Sequence, residues 1–285
     1  MNQSCHSTTL AASANAAAPM TQCSSLTSAR EAAASSALRS CTACGMHQLC
    51  LPMGLDESDM KRLDKIIGRR KVARDDFLYR IGDRFTALYA VRVGHFKTYQ
   101  ENLDGDRQIT GFQMPGELLG MDAISTEHHQ CDAVALQDSE VCEIPFARLE
   151  QLFGQIPHLL RHFHRMMSHE ITSEQNVIML LGNMRAEQRF AAFLVNLSSR
   201  YAARGYSSTR FQLRMTRQDV GNYLGLTIES ISRLISKFRK QGLLAVEQRD
   251  VEVIDLPALK RLAAGVDACN AAAPAAATAT ARTGS

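Results

Sequence analysis

The sequence predicts an α+β chain in three parts: an antiparallel β-roll, a long helix suited to pairing with a second copy, and a C-terminal winged helix-turn-helix. Three observations predict it. From about residue 71 to 146 turn signals are dense, at Gly82-Asp83, Gly94, Asp104-Gly105, Gly111, Pro115-Gly116 and Gly120, with short alternating apolar runs between them. Over residues 157–184 the apolar period changes to alternating steps of four and three. Over residues 216–241 two short helical patterns flank a single glycine.

Taken in order, residues 1–38 are Ala, Ser and Thr with few charges, and residues 263–285 are much the same. Neither can bury enough apolar surface to order itself, so both are expected to be disordered tails. Residues 39–54 carry Cys41, Cys44 and Cys50 in the spacing Cys-x2-Cys-x5-Cys. Residues 55–156 form the expected roll, a sensor domain. Its segments 95–102 and 107–114 flank Leu103-Asp104-Gly105-Asp106, a hairpin signal, and Cys142 falls on its last strand.

The expected dimerisation helix spans 157–184. Leu160, His164, Met167, Ile171, Glu174, Ile178 and Leu181 form an a/d seam behind Pro157, which suits a first helical position. Such a stripe also suits a helix packed on its own domain. Nearly four heptads without Gly or Pro favour a homodimer through Met167, Ile171, Glu174, Ile178 and Leu181. Residues 185–262 form the expected DNA-binding domain. Its first helix, 186–204, gathers Phe190, Phe193, Leu194, Leu197 and Tyr201 on one face and ends at Gly205.

Thr216-Arg217-Gln218-Asp219 reads as a capping box, Gly225 as a turn, and Thr227 as the cap of a second helix ended by Gly242. Ile228, Ile231, Ile235 and Phe238 are expected to face the core. Glu229, Ser232 and Arg233 then lie on the opposite face, on the turns that enter a major groove. Arg can grip guanine O6 and N7, Glu can accept from cytosine N4, and Ser suits either partner. Glu229 at a helix N-terminus is also favoured by the helix dipole alone. Leu243–Asp255 reads as a two-stranded wing turning at Arg249-Asp250.

The net charge of +3 hides an asymmetry: Lys and Arg against Asp and Glu give +7 over residues 185–285 and −4 over residues 1–184. A basic C-terminal third fits a partner made of phosphate, double-stranded DNA in particular. No apolar run reaches membrane-spanning length, and the N-terminus lacks a basic region followed by an apolar one. A cytoplasmic protein with no membrane partner is the expectation. Walker A, Gly-x-Ser-x-Gly and His-Glu-x-x-His patterns are absent, which argues against an enzyme.

Clustered cysteines in a reducing compartment favour metal or redox chemistry over disulfides. Four thiolates can hold zinc or an iron–sulfur cluster, and spacing alone leaves both open. His47 could complete a Cys3His zinc site. Cys131 competes with Cys142 for the fourth place. The adjacent His128-His129 pair reads as solvated surface.

The motifs Gln48-Leu49-Cys50, Leu88-Tyr89-Ala90-Val91-Arg92, Gln108-Ile109-Thr110-Gly111-Phe112, Val141-Cys142-Glu143-Ile144-Pro145-Phe146 and Gly221-Asn222-Tyr223-Leu224-Gly225-Leu226-Thr227-Ile228-Glu229-Ser230-Ile231-Ser232-Arg233-Leu234 together resemble the FNR branch of the CRP/FNR transcription regulators. The likeness covers about residues 41–262. It implies a cyclic-nucleotide-binding-like roll and one [4Fe-4S] cluster per monomer, held by Cys41, Cys44, Cys50 and Cys142. It also implies a cluster-loaded dimer that binds a palindrome of TTGAT half-sites through Glu229, Ser232 and Arg233, contacts RNA polymerase and activates or represses anaerobic genes. Oxygen would convert the cluster and dissociate the dimer. Glu174, a carboxylate in the apolar seam, would keep that dimer near balance. The rival readings on one scaffold are a cyclic-nucleotide-responsive regulator and a zinc or thiol redox regulator. Gly116-Glu117-Leu118 matches a nucleotide-holding loop, but His129-Gln130-Cys131-Asp132 lacks the phosphate-binding Arg.

Overall fold

A computed structural model describes residues 40–102 and 104–265; the expected N-terminal tail and residues 266–285 of the expected C-terminal one, with Cys5, Cys23 and Cys269, lie outside the described residues, while Ala263, expected in that tail, ends a helix. A 3-10 turn, Cys41–Ala43, opens the chain and is capped by the Ser40 side chain. Helix α1, Glu57–Asp64, follows; Asp56 caps it by accepting from the Asp59 N–H.

The roll is two four-stranded antiparallel sheets. One, in the order β1-β8-β3-β6, is built from β1 (Gly68–Val72), β3 (Ala87–Val93), β6 (Leu118–Leu119) and β8 (Ser139–Pro145). The other, β2-β7-β4-β5, is built from β2 (Phe77–Tyr79), β4 (Phe96–Glu101), β5 (Arg107–Gln113) and β7 (Asp132–Ala135). The β4–β5 hairpin turns where the sequence placed it. Asn102 Oδ1 closes the turn by accepting from the Asp104 and Asp106 amides at 3.0 and 2.8 Å, and Gly105 takes a left-handed φ of +84°.

Helix α2, Phe146–Phe153, leads into α3, Pro157–Asn183, which has Pro at its start as expected. Only the beginning of α3 is buried, at Leu159, His162 and Phe163. Farther along, its seam is bare in the single chain: Ile171 is 54% exposed and Ile178 69%.

Helix α4, Ala186–Ala203, buries Phe190, Phe193, Leu194 and Leu197. Strand β9 (Arg210–Gln212) precedes α5 (Arg217–Leu224) and α6 (Ile228–Lys240). The Thr216/Asp219 capping box forms, Gly225 turns with a φ of +63°, and Thr227 caps α6. The wing is β10 (Leu244–Glu247) with β11 (Asp250–Val253), and α7 (Leu256–Ala263) closes the domain.

Three expectations change here. The wing turns at Gln248-Arg249, one residue earlier than expected, because Gln248 takes the left-handed conformation. The wing also gains a third strand, since β9 pairs with β11. Ile228, expected in the core, is 45% exposed, and Leu234 (7%) is buried with Ile231, Ile235 and Phe238. Ile228 is the first residue of α6, before the helix has turned fully onto its core face.

Candidate metal centre and nucleic-acid interface

The cysteine segment is held down from both ends. Ser40 Oγ donates to Asp64 Oδ2 at 2.6 Å and the Cys41 amide to Asp64 Oδ1 at 2.9 Å, tying the segment to α1. Leu49 lies over Gly116, where a Cβ would come within 3.1 Å of the Leu49 Cβ; this close approach and the φ of +92° both call for glycine. Leu51 is fully buried in one core with Leu63, Leu88, Cys142 and Phe163.

Cys142 sits mid-strand on β8, between Arg69 of β1 and Ala90 of β3. Its thiol and those of Cys41, Cys44 and Cys50 lie close enough for charge on one to act on another. Cys41 feels Cys142 and Cys50, Cys50 feels Cys142 and Cys44, and Cys142 feels Cys44. Burial pushes the Cys50 thiol up to about 12, and the Cys142 charge adds to it. Burial raises Cys41 too, helped by the Asp64 side chain. Cys142 is raised by burial although the neighbouring Arg69 and Arg92 guanidiniums pull it down. Glu140 accepts from Arg92 Nη1 at 2.7 Å and approaches Arg69 Nη1 at 3.4 Å, so these charges stand on the strands around Cys142.

Among the described residues no three His, Cys, Asp or Glu side chains already stand as the ligands of one metal ion. The donor chemistry nonetheless fits an iron–sulfur cluster. Four soft sulfurs from two parts of the chain lie within electrostatic reach of one another, in a place where thiolates would need cationic compensation.

The two alternatives have other partners. His47 Nδ1 lies 2.8 Å from the Cys44 carbonyl oxygen and its Nε2 2.9 Å from Gln48 Nε2, so both ring nitrogens already have partners. Cys131 precedes β7 in the other sheet, its thiol 3.6 Å from Asp122 Oδ2. Burial pushes that thiol up to about 12, and the groups acting on it are Asp122, Tyr79 and Asp132, with no cysteine among them. The solvated histidine pair is half corrected. His128 is exposed, but His129 is 2% exposed and stacks on Tyr79 with ring centroids 3.7 Å apart. An apolar strand neighbour overrides the local polarity of the loop.

The face of α6 expected to read bases points to solvent. Glu229 and Arg233 are exposed, and Ser232, half-buried, donates to the Ile228 carbonyl at 2.9 Å. Its own backbone amide and the Thr227 hydroxyl keep the Glu229 carboxyl below its ordinary value. A shallow depression lined by Ser232, Arg233, Ser236, Lys237, Lys240 and Gln241 runs along this face. Lys237 pairs with Glu187 of α4, which fixes the base of α6 to its own domain.

Sequence reasoning missed the contacts between the two domains. Glu117 holds Arg200 and Arg204, Lys97 holds Asp219, and Asn222 grips β5. The only signal for Glu117 was its Gly-Glu loop, which pointed to a nucleotide.

Residues 188–262 match the Crp-like helix-turn-helix domain family, and residues 69–155 the cyclic nucleotide-binding domain family. The chain is 47% identical to the fumarate and nitrate reduction regulatory protein of Escherichia coli over 224 residues, 78% of this chain and 90% of that one. It is 47% identical to the anaerobic regulatory protein of Pasteurella multocida over 223 residues, 78% and 82% of the two chains. It is 46% identical to the transcriptional regulatory protein btr of Bordetella pertussis over 230 residues, 80% and 95%. Among solved structures, FixK2 from Bradyrhizobium japonicum superposes with a TM-score of 0.64 at 28% identity, over 69% of this chain and 97% of that one.

Proposed function

This chain belongs to the CRP/FNR family of transcription regulators, on its anaerobic FNR-type branch, and from that membership we propose that it senses oxygen through a [4Fe-4S] cluster, one per monomer, held by Cys41, Cys44, Cys50 and Cys142. It is a regulator and not an enzyme, as its relatives are. The observation that carries the reading is that Cys142 lies in, and Cys50 packs against, the core that also holds the start of α3, with Cys41 and Cys44 within electrostatic reach of them. Such a cluster supplies oxygen reactivity that thiols of raised pKa lack.

The chain's own residues supply the rest. Cys41, Cys44 and Cys50 hang on a segment pinned by Asp64 and Gly116, while Cys142 is fixed in a sheet. His162 of α3 places Nε2 3.2 Å from the Cys50 carbonyl oxygen, and Phe163, Met166 and Met167 pack on the same core. Movement of the cysteine segment therefore reaches α3 directly. The stripe of Met167, Ile171, Glu174, Ile178 and Leu181, bare at Ile171, Glu174 and Ile178, is the proposed homodimer seam. Glu229, Ser232 and Arg233 then read a TTGAT half-site in double-stranded DNA, and the dimer reads the palindrome. Contact with RNA polymerase and a cytoplasmic setting complete the proposal; among the described residues no helix is long and apolar enough to cross a membrane.

A cyclic nucleotide is disfavoured because Glu117, in the loop that would hold it, is already paired with Arg200 and Arg204 at 2.6 Å each. The deciding experiment is anaerobic purification of the chain with Cys142→Ala and Cys131→Ala variants. The parent and Cys131→Ala are expected to be brown, with equal iron and sulfide per monomer, and Cys142→Ala colourless. Zinc in a colourless parent, or equal loss in both variants, sinks the assignment.

A further inference from the structure

The helix-turn-helix is seated on the roll of its own chain. Strand β5 is the edge strand of its sheet, and Asn222 of α5 uses both ends of its amide on it. Asn222 Oδ1 accepts from the Ile109 amide at 2.6 Å, and Nδ2 donates to the Arg107 carbonyl at 2.5 Å. Gln108 Nε2 returns a bond to the Asn222 carbonyl at 2.8 Å. One amide side chain thus takes two of the places a further strand would take on that edge.

Beside it, Lys97 of β4 meets Asp219 of α5 at 2.7 Å. Phe112 of β5 packs 5.2 Å from the Tyr223 ring and 6.2 Å from the Phe193 ring. At the far end, Glu117 accepts from the Met114 amide at 2.9 Å, from Arg200 of α4 and from Arg204, which caps that helix's C-terminus. Arg204, only 4% exposed, also donates to the Pro115 carbonyl at 2.7 Å. Glu170 of α3 faces this group, and burial holds its carboxyl above the ordinary range, with Glu117 and Glu174 adding to the rise. Roll, long helix and DNA-binding domain meet at one half-buried charge group.

We propose that this seat aims the recognition helix: Asn222 and Glu117 are positioning residues that hold the two α6 helices of a dimer at the separation a palindrome requires. The inference rests on the reading of the chain as a dimeric DNA-binding regulator. Two half-sites on one face of the duplex lie about 34 Å apart, so both helices must be presented together and in register. A domain free to swing loses orientational freedom when the second half-site is engaged, and that loss weakens binding. A domain already held by an edge-strand amide, an aromatic patch and a half-buried carboxylate between two guanidiniums has lost it beforehand. Neither Asn222 nor Glu117 lies on the reading face, so their effect is expected on geometry and not on base contact.

The test uses the full chain purified without oxygen, with Asn222→Ala and Glu117→Gln variants. Binding is measured to a TTGAT palindrome of normal spacing, to palindromes lengthened by one and two base pairs, and to a single half-site. Palindrome affinity is expected to fall about tenfold in each variant. The penalty for altered spacing should shrink, and half-site affinity should stay at the parent's value. Hydrogen exchange should quicken together over residues 107–113 and 217–224 while residues 139–145 keep the parent's rate. If Glu117→Gln also quickens 139–145, the roll itself has loosened, and Asn222→Ala, which removes only one amide, carries the decision. Unchanged palindrome affinity with unchanged spacing preference overturns the proposal. Tighter binding overturns it as well, since the seat would then be a restraint. A parent that binds no duplex overturns the regulator reading and the seat's role with it.

Discussion

Arg233 is the side chain on which base discrimination is expected to rest most heavily. It is exposed on an early turn of α6, beside Ser232 and Ser236, with its guanidinium on the open reading face. Removing a bidentate contact to guanine costs about 1–3 kcal/mol and relaxes preference at that base pair alone. Arg233→Ala is expected to do this, whereas Lys240→Ala should weaken all duplexes alike and lower the salt dependence. Affinities across a set of single-base variants of the half-site check both; an unchanged preference at every position would refute the register of α6. A second residue, His95, links pH to stability. Its ring lies between the roll and α4, 6.5 Å from Tyr201, and neither ring nitrogen has a partner. Burial, with Arg214, Arg200 and Arg204 nearby and only Glu117 opposing them, pushes its pKa down to about 4. The folded chain therefore keeps this imidazole neutral, while the unfolded chain takes up a proton below about 6.5. Stability is fully present above that pH and is lost as pH falls toward 4, by on the order of 2–3 kcal/mol. His95→Leu should flatten the fall between pH 6.5 and 4.5 in urea titrations. Parallel losses in parent and variant would rule His95 out as its source.

Helix α3 is the element whose sequence says most about assembly. Its apolar stripe is exposed at Ile171 and Ile178, and Glu174 stands between them. Two such carboxylates brought together in a seam repel and resist desolvation. Glu174→Ala keeps the helix, since Ala is the stronger helix former, and removes that opposition. The dimerisation constant is expected to rise by at least about tenfold, roughly 1.4 kcal/mol. Sedimentation of the air-exposed variant should show a dimer that binds DNA; a variant as monomeric as its air-exposed parent would clear Glu174 of this role. Long elements such as α3 and α4 were legible because their periods repeat over several turns. Helices α5 and α6 were legible from their caps, Thr216, Gly225 and Thr227. Helices α1, α2 and α7 were not, being eight residues each and too short for a period to show. Strand β9, three residues long, exists because β11 offers it an edge, a tertiary fact with no local mark. The proposed thiol site was legible in part. Spacing gathered Cys41, Cys44 and Cys50, but Cys142 entered through family resemblance, because only the roll brings β8 beside a segment about ninety residues earlier.

At the scale of the whole molecule, the sequence divides into an acidic body and a basic C-terminal third, and that division suggests two independent domains. The structure joins them. One apolar core runs from Tyr99, Ile109 and Phe112 of the roll into Phe193, Leu194 and Phe238 of the DNA-binding domain. Nothing local in the sequence signals this, because the contacts that make it, such as Lys97 with Asp219, join positions 122 residues apart. A shared core has a thermodynamic consequence. Domains joined by a small polar contact unfold separately, while domains that share buried aromatic rings unfold together. The metal-free chain is therefore expected to unfold in one calorimetric transition. Phe112, 6% exposed and packed on both Phe193 and Tyr223, is the ring at the join. Phe112→Ala should cost about 3–5 kcal/mol by the loss of apolar contact and the cavity left behind. It should also split the single transition into two, the roll melting apart from the helix-turn-helix. Calorimetry of the metal-free parent and variant decides it. Two transitions already present in the parent would mean that the core is not shared in solution. A single transition persisting in the variant, merely lowered in temperature, would mean that other contacts, with Glu117 and Asn222 foremost, hold the domains together without this ring.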